Sequence, residues 1–173
     1  RAASTVYDPR LDGWFEVAVV PLEEAGRLVG SVHVAREITG QKLAEERNRR
    51  LRSLGFELSA APDLNAAMQA ALSAATTEAG IDSAGIYLIE DTGDLVLKAH
   101  VGLSDAFVRE ASRYPAGSQN HRLVMKGNPA FGTYGRIDGL PANPAIAAEG
   151  VEAVGVVPIR HEGKVTGALN AGY

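Results

Sequence analysis

Histidine supplies the side chains of this sequence best suited to bind a soft metal or to transfer a proton. The four histidines are His33, His100, His121 and His161. No two of them lie three or four residues apart on a predicted helix, so the spacing of a metal site is absent. The chain has no cysteine, which excludes disulfides, thiolate nucleophiles, cysteine-bound metals and thioether-linked chromophores. We therefore expect neither a metal ion nor haem.

Motifs for phosphate binding and for nucleophilic catalysis are absent as well. The segment from Gly127 to Gly132 has neither the preceding strand nor the following Lys-Ser/Thr of a phosphate loop. No Gly-x-Ser-x-Gly motif occurs, and the serines lack a matching base. The sequence favours binding over catalysis. His121 is the histidine with a possible binding role, because it lies beside Asn120 in a long irregular segment.

Composition narrows the function classes further. The chain has 173 residues, 46% of them apolar, which is enough for a packed core. A formal net charge of -4 gives no broad basic surface, so we expect no nucleic-acid binding. No apolar run approaches the ~20 residues of a spanning helix, and the first residues lack a signal peptide. We expect a cytoplasmic protein without direct membrane contact. The chain starts without Met and ends within a predicted strand, so we expect a piece of a longer polypeptide.

The N-terminal part reads as a β-hairpin followed by a long helix. Alternation at Trp14 to Pro21 and at Leu28 to Ala35 predicts two strands, with the rest of their sheet upstream of Arg1. Nothing except Gly55 breaks a helix from Gln41 to about Ala61. Its heptad seam is a dimer interface or, alternatively, a surface packed on its own chain. The seam positions are Ala44, Arg47, Leu51, Leu54, Leu58 and Ala61.

The remaining pattern predicts an α+β fold, an antiparallel sheet with one face under helices. Leu95, Leu97, Ala99 and Val101 are expected to form one inward strand face, and Pro158 is expected at a sheet edge or bulge. The stretch from Pro115 to Pro144 loses periodicity and is expected to be functional or mobile. One predicted helix starts after Asp63, a second starts after Ser104, and a third covers Ala145 to Glu149. The predicted strands are Ala84 to Ile89, Leu95 to Val101, Ala130 to Tyr134, Val154 to Arg160 and Val165 to Ala171.

Residues 1–39 resemble the closing strands of a PAS domain. The resemblance is carried by Trp14-Phe15-Glu16-Val17 and by Arg36-Glu37-Ile38-Thr39, where Glu37 stands in place of the Asp of an Asp-Ile-Thr junction. It implies that Trp14, Glu37 and Thr39 relay a signal into the helix.

Residues 56–173 are similar to a GAF domain whose final helix is missing. The resemblance implies a sheet with dimer-forming helices on one face, a small-molecule pocket on the other, and a lid from Pro115 to Pro144. The expected ligand contacts are Tyr87, His100, Phe107, Tyr114, Asn120, His121, Phe131 and Tyr134. The matching stretches are Leu58, Asp63-Leu64, Ala84 to Leu88, Leu97 to Ser104, Asn143-Pro144, Glu149 to Val151, Val157 to Ile159 and Gly163 to Asn170.

Together these resemblances imply a PAS remnant (1–39), a signalling linker helix (40–55) and a GAF domain (56–173). We expect a non-catalytic sensory fragment of a signal-transduction protein. The expected parent is a two-component sensor histidine kinase, and the alternatives are a cyclic-di-GMP enzyme and a serine phosphatase regulator, which use the same input modules. The fragment would bind an unknown effector, form a homodimer through helices and act on a C-terminal output domain. Covalent bilin would need cysteine, and the Asn-Lys-Phe-Asp-Glu pattern of cyclic-nucleotide-binding GAF domains is not found. The alternatives are a small-molecule enzyme on this fold and a purely structural dimerisation domain.

Overall fold

The computed structural model describes residues 2–140 and 143–173. Its internal contacts divide the chain into a first unit, residues 1–53, and a second unit, residues 54–173. Arg1 belongs to the predicted PAS remnant, and Pro141 and Ala142 belong to the predicted lid; all three lie outside the described residues.

The first unit contains a three-stranded antiparallel sheet rather than a hairpin alone. Its strands are β1 (Ala2–Asp8), β2 (Gly13–Glu24) and β3 (Arg27–Glu37), with β2 in the centre. The expectation that the other strands of this sheet lie upstream of Arg1 was wrong for β1, which belongs to the described residues. β1 lacks a bulky alternating pattern and is placed by pairing with β2, where Tyr7 lies opposite Trp14 and their ring centroids are 5.5 Å apart.

The predicted long helix is present as α1 (Thr39–Ala60). It starts where the Ile38 N–H donates to the Trp14 carbonyl at 2.8 Å. Every residue of α1 is described and none of them is buried. Leu43, Leu51 and Phe56 are among its exposed apolar side chains.

The second unit is built on a six-stranded antiparallel sheet in the order β6-β5-β4-β9-β8-β7. The two-residue β6 lies where we expected the helix that starts after Ser104 to continue. Arg113 forms ion pairs with Glu90 and Asp94 and so ties β6 to the β4–β5 turn. The strands are β4 (Ser83–Ile89), β5 (Leu95–Val101), β6 (Arg113–Tyr114), β7 (Ala130–Thr133), β8 (Ala153–His161) and β9 (Lys164–Gly172).

Helices cover both faces of this sheet, which corrects the expectation of one covered face. On one face, α2 (Leu64–Ala79) packs Met68 and Leu72 against β4 and β5. On the other face lie α3 (Asp105–Ala111), α4 (Gln119–Met125) and α5 (Pro144–Ala148). The helix α4 lies inside the stretch that we expected to be irregular. It is too short to show clear periodicity and is fixed by the burial of Leu123 and Val124.

The prediction that Leu95, Leu97, Ala99 and Val101 form one inward face of β5 was wrong, because the pairing register shifts within the strand. The pairing register of β4 with β5 shifts between Ile86 and Tyr87, so Tyr87 lies opposite Leu97 while Ile86 lies opposite Ala99. Such a bulge moves the side chains on either side of it to opposite faces. Leu95 accordingly joins the core beneath α4, and Ala99 joins the core beneath α2.

Three other local predictions are confirmed. Asp63 caps α2 by accepting the Ala66 N–H at 2.8 Å, and Ser104 caps α3 by accepting the Phe107 N–H at 3.1 Å. Pro158 lies on β8 beyond the residues that pair with β7, where its missing N–H breaks no ladder.

Candidate ligand-binding site

A cavity of about 70 Å³ lies between the second unit's sheet and the helices α3, α4 and α5. A water molecule needs roughly 10 to 15 Å³ of such space, so the cavity has room for about five waters. Its wall is mostly aliphatic and aromatic. The lining residues are Ser83, Ala84, Gly85, Tyr87, Leu95, Leu103, Phe107, Tyr114, Asn120, Leu123, Val124, Leu140, Ile146, Glu149, Val151, Val154, Gly155, Val156, Ala168, Asn170, Ala171 and Gly172.

Tyr87 forms the centre of the aromatic wall. Its hydroxyl donates to the carbonyl of Ala111 at 2.9 Å, in a fully buried position. The residue four positions after Ala111 is Pro115, which has no N–H to offer this carbonyl. The Tyr87 hydroxyl thus supplies the hydrogen-bond donor that the backbone following α3 does not provide. This bond holds the end of α3 on the sheet.

Tyr114 packs beside Tyr87, with ring centroids 5.4 Å apart. Burial, followed by the charge and hydrogen bonding of Tyr114, raises the pKa of the Tyr87 phenol far above its ordinary value. Burial also raises the pKa of Tyr114, although hydrogen bonding from the side chains of Tyr87, Asn143 and Asn120 lowers it in part. Both phenols are therefore neutral at physiological pH and act only as hydrogen-bonding groups.

Two amide side chains belong to the cavity lining. Asn120 on α4 and Asn170 on β9 both line it, and the Oδ1 atom of each is buried without a hydrogen-bond partner among the described residues. Buried polar atoms in folded proteins nearly always have a partner, and an unpaired one costs free energy. The two carboxamide groups are therefore polar members of an otherwise mainly apolar cavity wall.

A carboxylate joins the helices that close the cavity. Glu149 accepts hydrogen bonds from the Ser104 N–H at 3.1 Å and from the Ser104 hydroxyl at 2.5 Å. Ser104 caps the start of α3 and Glu149 caps the end of α5. We call this pair the Ser104–Glu149 clasp, because it links the two helices at 45 residues' separation in sequence.

Tyr134 fixes the other end of α5. Its hydroxyl donates to the Asn143 carbonyl at 2.7 Å and accepts the Asn143 N–H. The Asn143 side chain in turn caps α5 by accepting the Ala145 N–H at 2.8 Å. Tyr134, which we predicted as a ligand contact, is thus placed to position α5.

The structure brings together four of the eight predicted ligand residues: Tyr87, Phe107, Tyr114 and Asn120 line the cavity. The other four are not in its lining. Tyr134 anchors α5, and His100 lies exposed on β5.

His121 and Phe131 have local roles instead. The His121 ring nitrogen Nδ1 accepts the Gly117 N–H at 3.2 Å, at the turn that begins α4. Phe131 is 71% exposed on β7, where its ring lies over Gly155. Neither side chain reaches the cavity wall.

Sequence reasoning missed Asn170 and Glu149. Asn170 is the single amide in the otherwise apolar second half of β9, and a lone polar residue in such a strand is a signal that could have been used. Glu149 stands at the end of a short helix just before Gly150, where a solvated surface position is the ordinary expectation. Its partner Ser104 is too distant in sequence for a local pattern to indicate the pair.

The three predicted relay residues lie at the end of the first unit's sheet. The Trp14 N–H donates to the Thr39 hydroxyl at 2.9 Å, which joins β2 to the first residue of α1. Glu37 is exposed opposite Phe15, and its carboxylate has no ion-pair or hydrogen-bond partner within residues 2–140 and 143–173. The contact at this junction is therefore made by Thr39 and not by Glu37.

Two further observations on the described residues concern metal ions and membrane spans. No group of three or more His, Cys, Asp or Glu side chains is placed there to hold a metal ion. In the same part of the chain, no helix has the length and apolar character needed to cross a bilayer.

Solved structures with the same fold differ widely from this chain in sequence. The GAF domain of a phosphoenolpyruvate-protein phosphotransferase from Coxiella burnetii is 23% identical, with a TM-score of 0.62, over 72% of this chain and 75% of that one. A domain described as part of a two-component sensor histidine kinase from Sinorhizobium meliloti is 23% identical, with a TM-score of 0.53, over 64% of this chain and 73% of that one. No family model and no curated protein matches the sequence.

The fold also occurs in an enzyme. Free methionine-R-sulfoxide reductase from Neisseria meningitidis, solved with its substrate, is 20% identical, with a TM-score of 0.57, over 70% of each chain. At such identities the comparison establishes the fold and not a shared chemistry. The class is α+β, an antiparallel sheet between helices. Within that class the chain has the fold of GAF domains, which confirms the predicted fold class.

Proposed function

We propose that this chain is a sensory input module that binds a small effector in the cavity and passes the signal on without catalysing a reaction. The observation that carries the proposal is the mainly apolar cavity lined by two asparagine side chains, in a fold that signalling proteins share. The described lining residues include no histidine, lysine or cysteine. Its one carboxylate, Glu149, is engaged by Ser104.

Strand β4 offers a route from the cavity to the opposite face of the sheet. Tyr87 lines the cavity, whereas its neighbour Ile86 packs under α2 with Leu72. A ligand that tightens the wall at Tyr87 would change the packing at Ile86, because packed cores deform little. A coupling free energy of ~1 to 3 kcal/mol is enough for regulation.

The wider signalling context is part of the same proposal. The exposed apolar residues of α1, with Leu51 on the predicted heptad seam, support a homodimer formed through this helix. The first unit would be the end of a PAS domain that acts on α1 through Trp14 and Thr39. The parent would be a cytoplasmic sensor histidine kinase of a two-component system, with a C-terminal output domain.

A cavity-filling variant tests the binding function. Ala168 lines the cavity and is fully buried, so Ala168→Leu should fill much of the space. Ala147→Leu makes the same change at an exposed position of α5 that does not line the cavity.

Thermal shift and ligand-observed NMR with a library of small fragments provide the measurement. We expect some fragments to stabilise the wild-type chain and Ala147→Leu but not Ala168→Leu, by about 2.7 kcal/mol at a hundredfold excess over Kd. Substrate turnover by the isolated chain, or unchanged binding in Ala168→Leu, would contradict the proposal.

A further inference from the structure

Asn170 turns the N–H2 end of its side-chain amide towards the cavity. It lies on β9 between β4 and β8, opposite Gly85 and Val156. Because side chains alternate along a strand, Asn170 projects on the same face as Ala168, while Leu169 projects towards α2. Asn170 is half-buried, although its Oδ1 atom has almost no accessible surface. The Nδ2 atom has no hydrogen-bond partner among the described residues and is the accessible end of the amide.

Asn120 presents a second amide from the helical side of the cavity. It lies one turn before Leu123 and Val124, which are buried against the sheet, so its side chain shares their face of α4. Its Oδ1 atom is also buried without a partner within the described residues, although the residue as a whole is half-buried. Its N–H2 group has two donors, of which hydrogen bonding to the Tyr114 phenol engages at most one.

The orientation of the two amides is the one expected on energetic grounds. Reversing either amide would bury two N–H donors in place of one carbonyl oxygen. Among buried backbone groups, an N–H without a partner is rarer than a carbonyl without one. The same preference keeps the N–H2 groups on the cavity side, so a bound molecule meets hydrogen-bond donors there.

A ligand has to satisfy these donors when it displaces water. The cavity of about 70 Å³ has room for about five waters, which can accept from both amides. A pure hydrocarbon would displace this water and leave the N–H groups unpaired, which costs free energy. A ligand with an acceptor oxygen replaces the water as the partner of the amides and keeps its hydrocarbon portion against the apolar wall.

We propose that the cavity binds a compact, mainly apolar molecule whose acceptor oxygen receives hydrogen bonds from the Nδ2 groups of Asn170 and Asn120. This rests on the proposed function of the same cavity and names its ligand class. Room for about five waters corresponds to a molecule on the order of five to ten non-hydrogen atoms. The aliphatic part of the wall, which includes Leu95, Leu123 and Val156, contacts the hydrocarbon portion.

Two probes of the same shape test this class on the wild-type chain. Isopropyl methyl ketone has one acceptor oxygen and no donor, and in its alkene analogue a methylene group replaces that oxygen. Each is titrated into the isotope-labelled chain and followed by NMR. We expect the ketone to move the side-chain N–H resonances of Asn170 and Asn120 downfield, because these groups donate to its oxygen. The alkene should bind without a downfield shift.

Single substitutions measure the contribution of each amide. Asn170→Leu and Asn120→Leu replace the amide by a hydrocarbon group of similar size and also remove the buried unpaired oxygen. Each should weaken the ketone about tenfold relative to the alkene, because a change in cavity shape affects both probes alike and the lost hydrogen bond affects only the ketone. Asn128→Leu is the matched control, because Asn128 is exposed and outside the lining, and it should keep the wild-type ratio.

The outcomes separate the ligand class from the binding function. If the ratio of ketone to alkene affinity is the same in the wild type and both leucine variants, or if the ketone leaves the N–H resonances in place, the class is wrong. The binding function then stands, provided that Ala168→Leu abolishes the binding. If library fragments bind in the cavity and the ketone does not, the class is wrong as well. If neither the probes nor the library bind, both proposals fall. The resonance measurement uses the wild-type chain, so it is decisive even if an asparagine variant does not fold.

Discussion

At the scale of single residues, the second unit depends on polar groups that are buried and individually paired. Tyr87 is the clearest case, because its hydroxyl satisfies a helix carbonyl that Pro115 leaves without a donor. The pattern of Ala84 to Ile89 placed Tyr87 on a strand, and the resemblance to GAF domains implied that it lines the pocket. It could not indicate the Ala111 carbonyl, since that contact joins residues 24 positions apart.

Replacing Tyr87 by Phe should destabilise the second unit while keeping its packing. The change removes only the hydroxyl and leaves the Ala111 carbonyl buried and unpaired, which costs about 1 to 3 kcal/mol in the free energy of unfolding. Urea unfolding followed by circular dichroism measures the loss. Tyr173→Phe is the control, because Tyr173 is 66% exposed and its change should be neutral. Equal stability of the two variants would show that the buried bond contributes nothing.

The Tyr87 phenol should also make the free energy of unfolding depend on pH in the alkaline range. Burial raises the folded-state pKa of Tyr87 above the unfolded value of about 10, so the folded chain holds the proton more tightly. The stabilisation is complete below about pH 10 and is lost as the pH rises towards the folded-state pKa. Above about pH 10 the free energy of unfolding should therefore fall less steeply in Tyr87→Phe than in the wild type, by up to ~1.4 kcal/mol per pH unit. Urea unfolding at a series of alkaline pH values measures these slopes, and parallel slopes would contradict the assignment.

At the scale of elements, the sequence predicted strands and helices with strong periodicity and failed where tertiary contacts decide. The helix α2 and the strands β8 and β9 were located from their patterns. The helix α4, the strand β6 and the bulge in β5 were missed, because each is too short to have a period of its own. Four of the expected ligand residues line the cavity, whereas Asn170 and Glu149 also line it and were not among the expected contacts.

Alanine substitutions at Gly102 and Gly80 test whether the loop before α3 requires the backbone of Gly102 to lie close to that of Asp82. Gly102 and Gly80 both have positive φ angles, 68° and 62°. A Cβ at Gly102 would overlap the carbonyl oxygen of Asp82, whereas one at Gly80 would meet nothing within 4 Å. Gly80→Ala should cost only the strain of this conformation, about 1 to 2 kcal/mol. Gly102→Ala should cost a further 1 to 3 kcal/mol, roughly, from the forced backbone shift. Urea midpoints provide the comparison, and equal losses would show that the loop yields easily.

At the scale of the whole molecule, two elements leave their side chains largely exposed. Every residue of β3 is exposed, and so are Leu43, Leu51 and Phe56 of α1. The heptad pattern of this helix is visible in the sequence, but the pattern leaves open whether the seam meets a second copy or its own chain. In the structure Ala44, Arg47 and Leu51 of that seam are exposed, so at these positions the chain does not cover the seam itself. This favours pairing with a second copy.

Dimerisation through α1 should be weakened by a charge at the seam residue Leu51 and not by a charge at Leu43, which lies outside the seam. Leu51 is 57% exposed at a seam position, and Leu51→Lys would place a charge in the apolar contact of a two-stranded coiled coil. Leu43 is 66% exposed at the flanking g position, where coiled coils often carry lysine, so Leu43→Lys is the matched control. Sedimentation equilibrium should show a dimer for the wild-type chain and Leu43→Lys, and a weakening of about tenfold or more for Leu51→Lys, since burying an unpaired charge costs well over 1.4 kcal/mol. A monomeric wild-type chain at all concentrations would remove the helix-mediated dimer from the proposed mechanism. Ligand binding in the cavity would then have to act through the packing of the sheet on α2 within a single chain.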